Sequence, residues 1–189
     1  MKNTAIVTGA SSGIGREISR VLVEMGYEVY GFGREFPEEE VYFHPIVCDL
    51  LNTPELERQI KEIRRRNDVS LLVNNAGVGY YGLHEELNVQ KIQKLVRTNL
   101  EVPMVLTNLL LRDLKKYSGT VINISSVTAQ LSNPHGCAYG ATKAGLSSFS
   151  RSLFDEVRKY GVRVVTIQPD MTKTDLYRNA DFAQGEEEA

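Results

Sequence analysis

The chain is poor in the residues that hold metals or staple small domains. It has two cysteines and three histidines among 189 residues. Cys48 and Cys137 lie far apart, and neither belongs to a metal-like spacing. They read as buried or free thiols in a reducing compartment, which predicts a cytoplasmic protein. His44, His84 and His135 are isolated from one another, so no metal site is expected. No charge of one sign dominates either: the formal net charge of −2 leaves no basic footprint for nucleic acid. No apolar run is long enough to span a bilayer, and no charged-then-apolar leader precedes Thr4. Neither a membrane partner nor a signal peptide is therefore expected. Repeats and low-complexity stretches are also missing; only 181–189 is biased, with acids and no base. The remaining composition, 42% apolar and 24% charged, is that of an ordinary globular chain.

What is present is organised around Thr8-Gly9-Ala10-Ser11-Ser12-Gly13-Ile14-Gly15. The apolar run Thr4–Val7 before it reads as a buried strand. After it, Ile14, Ile18, Val21, Leu22 and Met25 form an apolar face at helical spacing. A strand, a glycine turn and a helix in this order bring free backbone N–H groups and a positive helix end to one point, which suits an anion. Glycines at 9, 13 and 15 allow a tight turn, close approach of a ligand and close helix–strand packing. The spacing G-x3-G-x-G is one residue looser than the usual dinucleotide fingerprint.

Further apolar runs predict strands at Val29–Phe32, Val41–Val47, Ser70–Val73, Thr120–Ile124 and Val162–Ile167. Helical patterns lie between them. One is capped by Asn52 or Thr53, carries Pro54 in its first turn and runs to about Arg66. A long one spans Val89–Lys116 with a kink expected at Pro103. Another covers Tyr139–Tyr160. Alternating strands and helices predict an α/β, doubly wound parallel sheet of the Rossmann type, in the order 3-2-1-4-5-6. Ligands on such sheets sit beyond the carboxyl ends of the strands. Those ends carry the glycine turn, Arg34, Asp49, Asn75, Ser126 and Pro169.

An NAD-type site places a carboxylate after the second strand; here Gly33 stands there, followed by Arg34, which suits a 2′-phosphate. NADP(H) is therefore expected over NAD(H). Tyr139 and Lys143 are four apart on a helix and share a face. A free tyrosine has a pKa of about 10, and an adjacent ammonium favours the phenolate. Ser126, at the end of the fifth strand, is placed to donate a hydrogen bond to a carbonyl or alkoxide oxygen between them.

These stretches resemble the short-chain dehydrogenase/reductases from residue 4 to about 176. The run 8–15 looks like that family's cofactor turn, with Gly9, Ser11, Ser12, Gly13, Ile14 and Gly15 as its contacts. Asp49-Leu50 is similar to the family's adenine-side contact, and Asn74-Asn75-Ala76-Gly77 matches its motif after the fourth strand. Asn99, Ser126, Tyr139 and Lys143 fall where the family has its catalytic four. The resemblance implies hydride transfer between NAD(P)H and a small-molecule carbonyl or alcohol. Tyr139 would be the general acid, and Lys143 would tune it and hold the nicotinamide ribose. Ser126 would hold the carbonyl oxygen, and Asn99 would fix a relay water. Pro169, Thr172 and Thr174 would meet the nicotinamide carboxamide, although Pro169-Asp170 replaces the family's Pro-Gly.

The long helix carries more apolar residues than one core-facing stripe needs, among them Val105, Leu109 and Leu111. With the resemblance, this implies a homodimer in which the long helix and the Tyr139 helix pair with their copies. The whole chain, 1–189, reads as one dinucleotide-binding domain. The family continues into a substrate cover and a seventh strand; this sequence offers 175–180 as a stub of the cover and an acidic tail beyond it. Cofactor binding with slow turnover and a high KM is the expectation that follows. The function reads as an NADP(H)-dependent ketone or aldehyde reductase, a 3-oxoacyl thioester being a narrower substrate. The competing reading is a weakly catalytic dinucleotide-binding sensor or partner subunit.

Overall fold

The structure, a computed structural model, describes residues 3–36 and 42–170. The chain runs β1 (Thr4–Thr8), α1 (Gly13–Glu24), β2 (Glu28–Gly33), β3 (His44–Val47), α2 (Thr53–Arg66) and β4 (Val69–Asn74). It continues through α3 (Val89–Val96), a π-turn (Arg97–Glu101), α4 (Val102–Lys116), β5 (Thr120–Ile124), α5 (Cys137–Val157) and β6 (Arg163–Ile167). All strands pair in parallel, in the order β3-β2-β1-β4-β5-β6. This is the expected doubly wound sheet.

The period-2 alternation of the central strands divides the core. Ile6, Phe32, Leu72 and Val121 point to one face, where Leu56 and Ile60 of α2 and Leu106, Leu110 and Leu114 of α4 cover them. Ala5, Val7, Val29, Leu71 and Val73 point to the other, against Ile18 and Leu22 of α1. Strands buried on both faces need apolar runs without alternation, and β1 and β4 carry them at Ala5–Val7 and Leu71–Val73. At the start of α2, Asn52 Oδ1 accepts the Glu55 N–H at 3.3 Å. Pro54 lies in its first turn, and Arg64, Arg65 and Arg66 sit at its negative end.

The structure differs from the sequence expectation at four places. Val21 and Met25 do not face the sheet: they are 42% and 67% exposed. Gly15 and Ser19 take the buried positions of α1 beside Leu22, because this helix lies too close to the sheet for larger side chains. β3 is shorter, and position 41, its expected start, lies outside the described residues. The long helix is interrupted by the π-turn rather than kinked. Pro103 has no N–H for the carbonyl four residues back, at Asn99, and the wider turn, with Val102 N–H bonded to Arg97 O, carries the chain past that gap. Finally, α5 begins at Cys137 and ends at Val157. A 3₁₀ turn follows (Arg158–Tyr160), closed by Gly161 at φ 75°.

Candidate active site

Six parallel strands open their carboxyl ends onto one cleft of about 760 Å³. Its floor is the turn after β1. Gly9 and Gly13 have φ of 67° and 52°, a region that favours glycine. A Cβ on Gly15 would come within 2.2 Å of the Gly9 carbonyl oxygen, so α1 approaches the turn as no larger residue would allow. Ser12 begins α1 without a side-chain cap, and no acid occupies the first turn. Its first N–H groups are left to an external acceptor. Gly9, Ser11, Ser12, Gly13 and Ile14 line the cleft; Gly15 acts from behind, as packing. These features fit a dinucleotide's diphosphate.

The side walls come from the other strand ends. Gly33 and Arg34 follow β2, Asp49 and Leu50 follow β3, and Pro169 follows β6; all line the cleft. After β4, Asn75, Ala76 and Gly77 line it as well. They are held by Thr8, which sequence reasoning passed over. Thr8 Oγ1 accepts the Asn75 and Ala76 N–H groups, each at 3.0 Å. In return Asn75 Nδ2 donates to the carbonyls of Thr8 and Gly9 at 3.0 and 3.3 Å. Phe36, Lys94 and Thr98 also border the cleft without having been expected there. Nothing in their spacing marks them, because only the tertiary fold brings α3, the π-turn and the segment after β2 to this opening. Thr172 and Thr174 lie outside the described residues, as do Met171 and 175–189.

Ser126, Tyr139 and Lys143 all line the cleft. Ser126 Oγ accepts the Thr128 N–H at 3.2 Å, which leaves its own O–H to donate. Tyr139 is 3% exposed, and the Tyr81 ring lies against it with centroids 5.5 Å apart. Lys143 is buried; its Nζ donates to the Ile124 carbonyl at 2.8 Å and sits 5.7 Å from the centre of the Tyr139 ring. A Cβ on Gly77 would lie 3.6 Å from that Nζ, so the backbone after β4 runs directly past the ammonium. Burial lowers the Lys143 pKa to about 8.

Asn99 sits behind this group, not in the cleft. Its Oδ1 accepts Val78 N–H at 2.9 Å, and its Nδ2 donates to Val78 O at 2.9 Å and Thr142 Oγ1 at 3.2 Å. The side chain is thus committed to the fold. Pro103 has no N–H to donate to the Asn99 backbone carbonyl in the α-helical pattern. Tyr80 also borders the cleft, whereas Leu131 is 66% exposed and Gln130 Nε2 donates to Gln168 Oε1 at 2.8 Å. Among the described residues no cluster of acids, histidines and cysteines could hold a metal ion, and no helix is long and apolar enough to cross a membrane.

A glycine-turn cleft lined also by a serine, a tyrosine and a lysine defines a class: nicotinamide-dependent oxidoreductases acting at a carbonyl or alcohol carbon. The sequence profile of the short chain dehydrogenases matches residues 3–184. The chain belongs to the short-chain dehydrogenase/reductase family and is an NAD(P)-dependent oxidoreductase. It is 34% identical over 185 residues to the serine 3-dehydrogenase of Agrobacterium fabrum, covering 93% of this chain and 74% of that one. It is 32% identical over 191 residues to the NADPH-dependent 3-dehydrocapnine reductase of Ornithobacterium rhinotracheale, covering 93% and 68%. Among solved structures, a short-chain dehydrogenase from Streptomyces avermitilis superposes with a TM-score of 0.84 at 33% identity, covering 93% of this chain and 68% of that one.

The depressed Lys143 pKa makes stability depend on pH in a defined direction. The native state releases this proton near pH 8, whereas an unfolded lysine keeps it to about 10.5. Below pH 8 both states are charged, and the native state carries the full cost of a buried ammonium. Between the two values the unfolded state binds more protons, so stability rises with pH. Lys143→Met removes the group. Relative to that variant, the wild type should gain on the order of 3 kcal/mol between pH 7 and 10.5. Denaturant unfolding of both proteins across this range measures it; a constant difference would place the Lys143 pKa at its ordinary value.

Proposed function

We propose that the protein is a cytoplasmic, NADP(H)-dependent reductase of ketones or aldehydes, with 3-oxoacyl thioesters within its substrate class. The observation that carries this reading is that Ser126, just after β5, and Tyr139 and Lys143, in the first turns of α5, line the same cleft as the glycine turn. The nicotinamide cofactor, when bound, supplies or takes the hydride at the carbonyl carbon. The glycine turn and the start of α1 hold its diphosphate. Asp49 and Leu50 border its adenine, and Asn75, Ala76 and Gly77 line its middle. Pro169 would meet the carboxamide; Thr172 and Thr174, outside the described residues, are assigned to it by family resemblance alone. Ser126 donates to the substrate carbonyl oxygen. Tyr139 gives its phenolic proton to that same oxygen as it becomes an alkoxide, and the Lys143 ammonium stabilises the phenolate left behind. Lys143 also holds the nicotinamide ribose. The Asn99 carbonyl, through a water, returns the proton by way of Lys143.

The preference for NADP(H) rests on the end of β2. Gly33 carries no ribose-binding carboxylate, and a Cβ there would lie 3.0 Å from Phe36 Cζ and Ser11 Cβ, so a larger residue would need those side chains to shift. Arg34 lines the same end of the cleft and is exposed, suited to a bidentate pair with a 2′-phosphate. The similarity to an NADPH-dependent reductase points the same way. The homodimer rests on α4. Val102, Leu106, Leu110 and Leu114, at steps of four, are buried in its own core; Leu109 and Leu111 pack partly against that core, and Val105 and Met104 stay partly exposed. On α5, Phe154 is 44% exposed. A second copy would cover these residues.

Tyr139→Phe keeps the ring and removes the proton donor. It should lower carbonyl reduction by about 10²- to 10⁴-fold while NADPH affinity, read by fluorescence titration, stays unchanged. Near-native turnover would reject Tyr139 as the acid. Arg34→Ala should weaken NADPH binding and leave NADH binding unaltered; equal losses for both would remove the assigned phosphate contact. Sedimentation at micromolar concentration should show a dimer, and a monomer alone would refute the paired helices.

A further inference from the structure

The two residues proposed as the catalytic pair are each gripped by their own main-chain carbonyl. Thr142 Oγ1 donates to the Tyr139 carbonyl at 2.7 Å. Ser125 Oγ donates to the Lys143 carbonyl at 3.0 Å. Both hydroxyl residues are only 3% exposed. A helical carbonyl already has the N–H four residues on as its donor, so neither hydroxyl is needed to satisfy it. A buried threonine in a helix often bonds back to its own preceding turn. That habit alone does not explain this pair, because each hydroxyl is also tied to another element.

Thr142 Oγ1 accepts from Asn99 Nδ2, and Asn99 grips Val78 through both the N–H and the carbonyl. The Tyr139 carbonyl is thereby linked through the π-turn to the segment after β4. Ser125 is not on the helix at all. It follows β5, shares a 2.8 Å hydrogen bond with Ser147, and its N–H donates to the Ile167 carbonyl at 2.7 Å. The Lys143 carbonyl is thereby linked to the ends of β5 and β6. Only one helical turn separates the two grips, and that turn carries both catalytic side chains.

We infer that Thr142 and Ser125 are positioning residues that set the Tyr139 hydroxyl and the Lys143 ammonium against each other and against the cleft wall. The inference rests on the catalytic reading of Tyr139 and Lys143. Displacements near 1 Å can cost about a hundredfold in rate, so a turn held at two carbonyls matters to catalysis before it matters to folding. Lys143 on its own helix and Tyr81 from the segment after β4 face Tyr139. Loosening the turn changes the first of these contacts.

Thr142→Val keeps the shape and removes the hydroxyl; Ser125→Ala does the same on the other side. Each should lower kcat about tenfold or more, with the carbonyl KM and the NADPH Kd held within about threefold. Thr142→Ser should restore kcat. Thr142→Val and Asn99→Ala should combine non-additively, as members of one network do. A second readout needs neither cofactor nor activity. Tyrosinate absorbance, with the Tyr139→Phe titration subtracted, follows Tyr139 alone, and it should titrate at higher pH in Thr142→Val than in the wild type. If the wild type reduces no carbonyl, the catalytic reading fails, yet this titration still decides the positioning claim. Unchanged kcat with an unchanged Tyr139 titration would overturn it. So would a lowered melting temperature with full kcat per folded molecule. If Thr142→Val does not fold, Ser125→Ala and Thr142→Ala carry the same readouts.

Discussion

The cleft depends on how the ends of β1 and β4 are joined. These neighbouring strands point the same way, but the chain leaves them in opposite directions, and a gap opens between their exits. Thr8 and Asn75 bridge it. The threonine hydroxyl takes two N–H groups from the segment after β4, and the asparagine amide takes the carbonyls of Thr8 and Gly9. The wall that would face a ribose is thereby fixed to the floor that would face a diphosphate. The close approach of α1 adds to this constraint, because a side chain on Gly15 would overlap both the Gly9 carbonyl and the Asn75 amide. Glycines 9 and 15 and Asn75 are thus one packing unit, although they stand on separate elements.

That unit explains why so much could be read from the sequence. Tight turns and helix starts are local demands, met by particular residues at fixed spacing, and they recur after β1, β3, β4 and β5. The strands, their order and the cleft at their carboxyl ends followed from those signals. Side-chain burial on α1 did not. Apolar spacing finds a helix face, but it does not say how near the sheet lies. Here Gly15 and Ser19 take the closest positions, and Val21 and Met25 turn outward. The π-turn was hidden for a similar reason. Pro103 marks a missing donor, and whether the helix bends or widens depends on what packs around it.

Asn99 shows a different limit. Its position within a motif was legible; its partners were not. The side chain joins Val78 to Thr142 across elements far apart in sequence. A hydroxyl at 142 carries no signal of its own, since serine and threonine occur in many helices. Its meaning comes only from the Asn99 amide facing it and the Tyr139 carbonyl beneath it.

The two halves of α5 are held by different forces. The far half is anchored by Leu153 and Val157 in the main apolar core. From its start to Ser150 the helix presents Thr142, Lys143, Ser147 and Ser150, all buried. Asn123 of β5 meets Ser150 at 2.8 Å and accepts from Asn74 of β4 at the same distance. Such a layer gives up hydrophobic stabilisation, and a lysine within it adds a desolvation cost. In return it gains direction. Dispersion contacts change little when a helix slides by a fraction of an ångström, whereas hydrogen bonds weaken steeply with angle and length. A helix held by apolar packing at one end and directed polar contacts at the other has its axis set by the first and its register by the second. Tyr139 and Lys143 lie in the half where register is fixed.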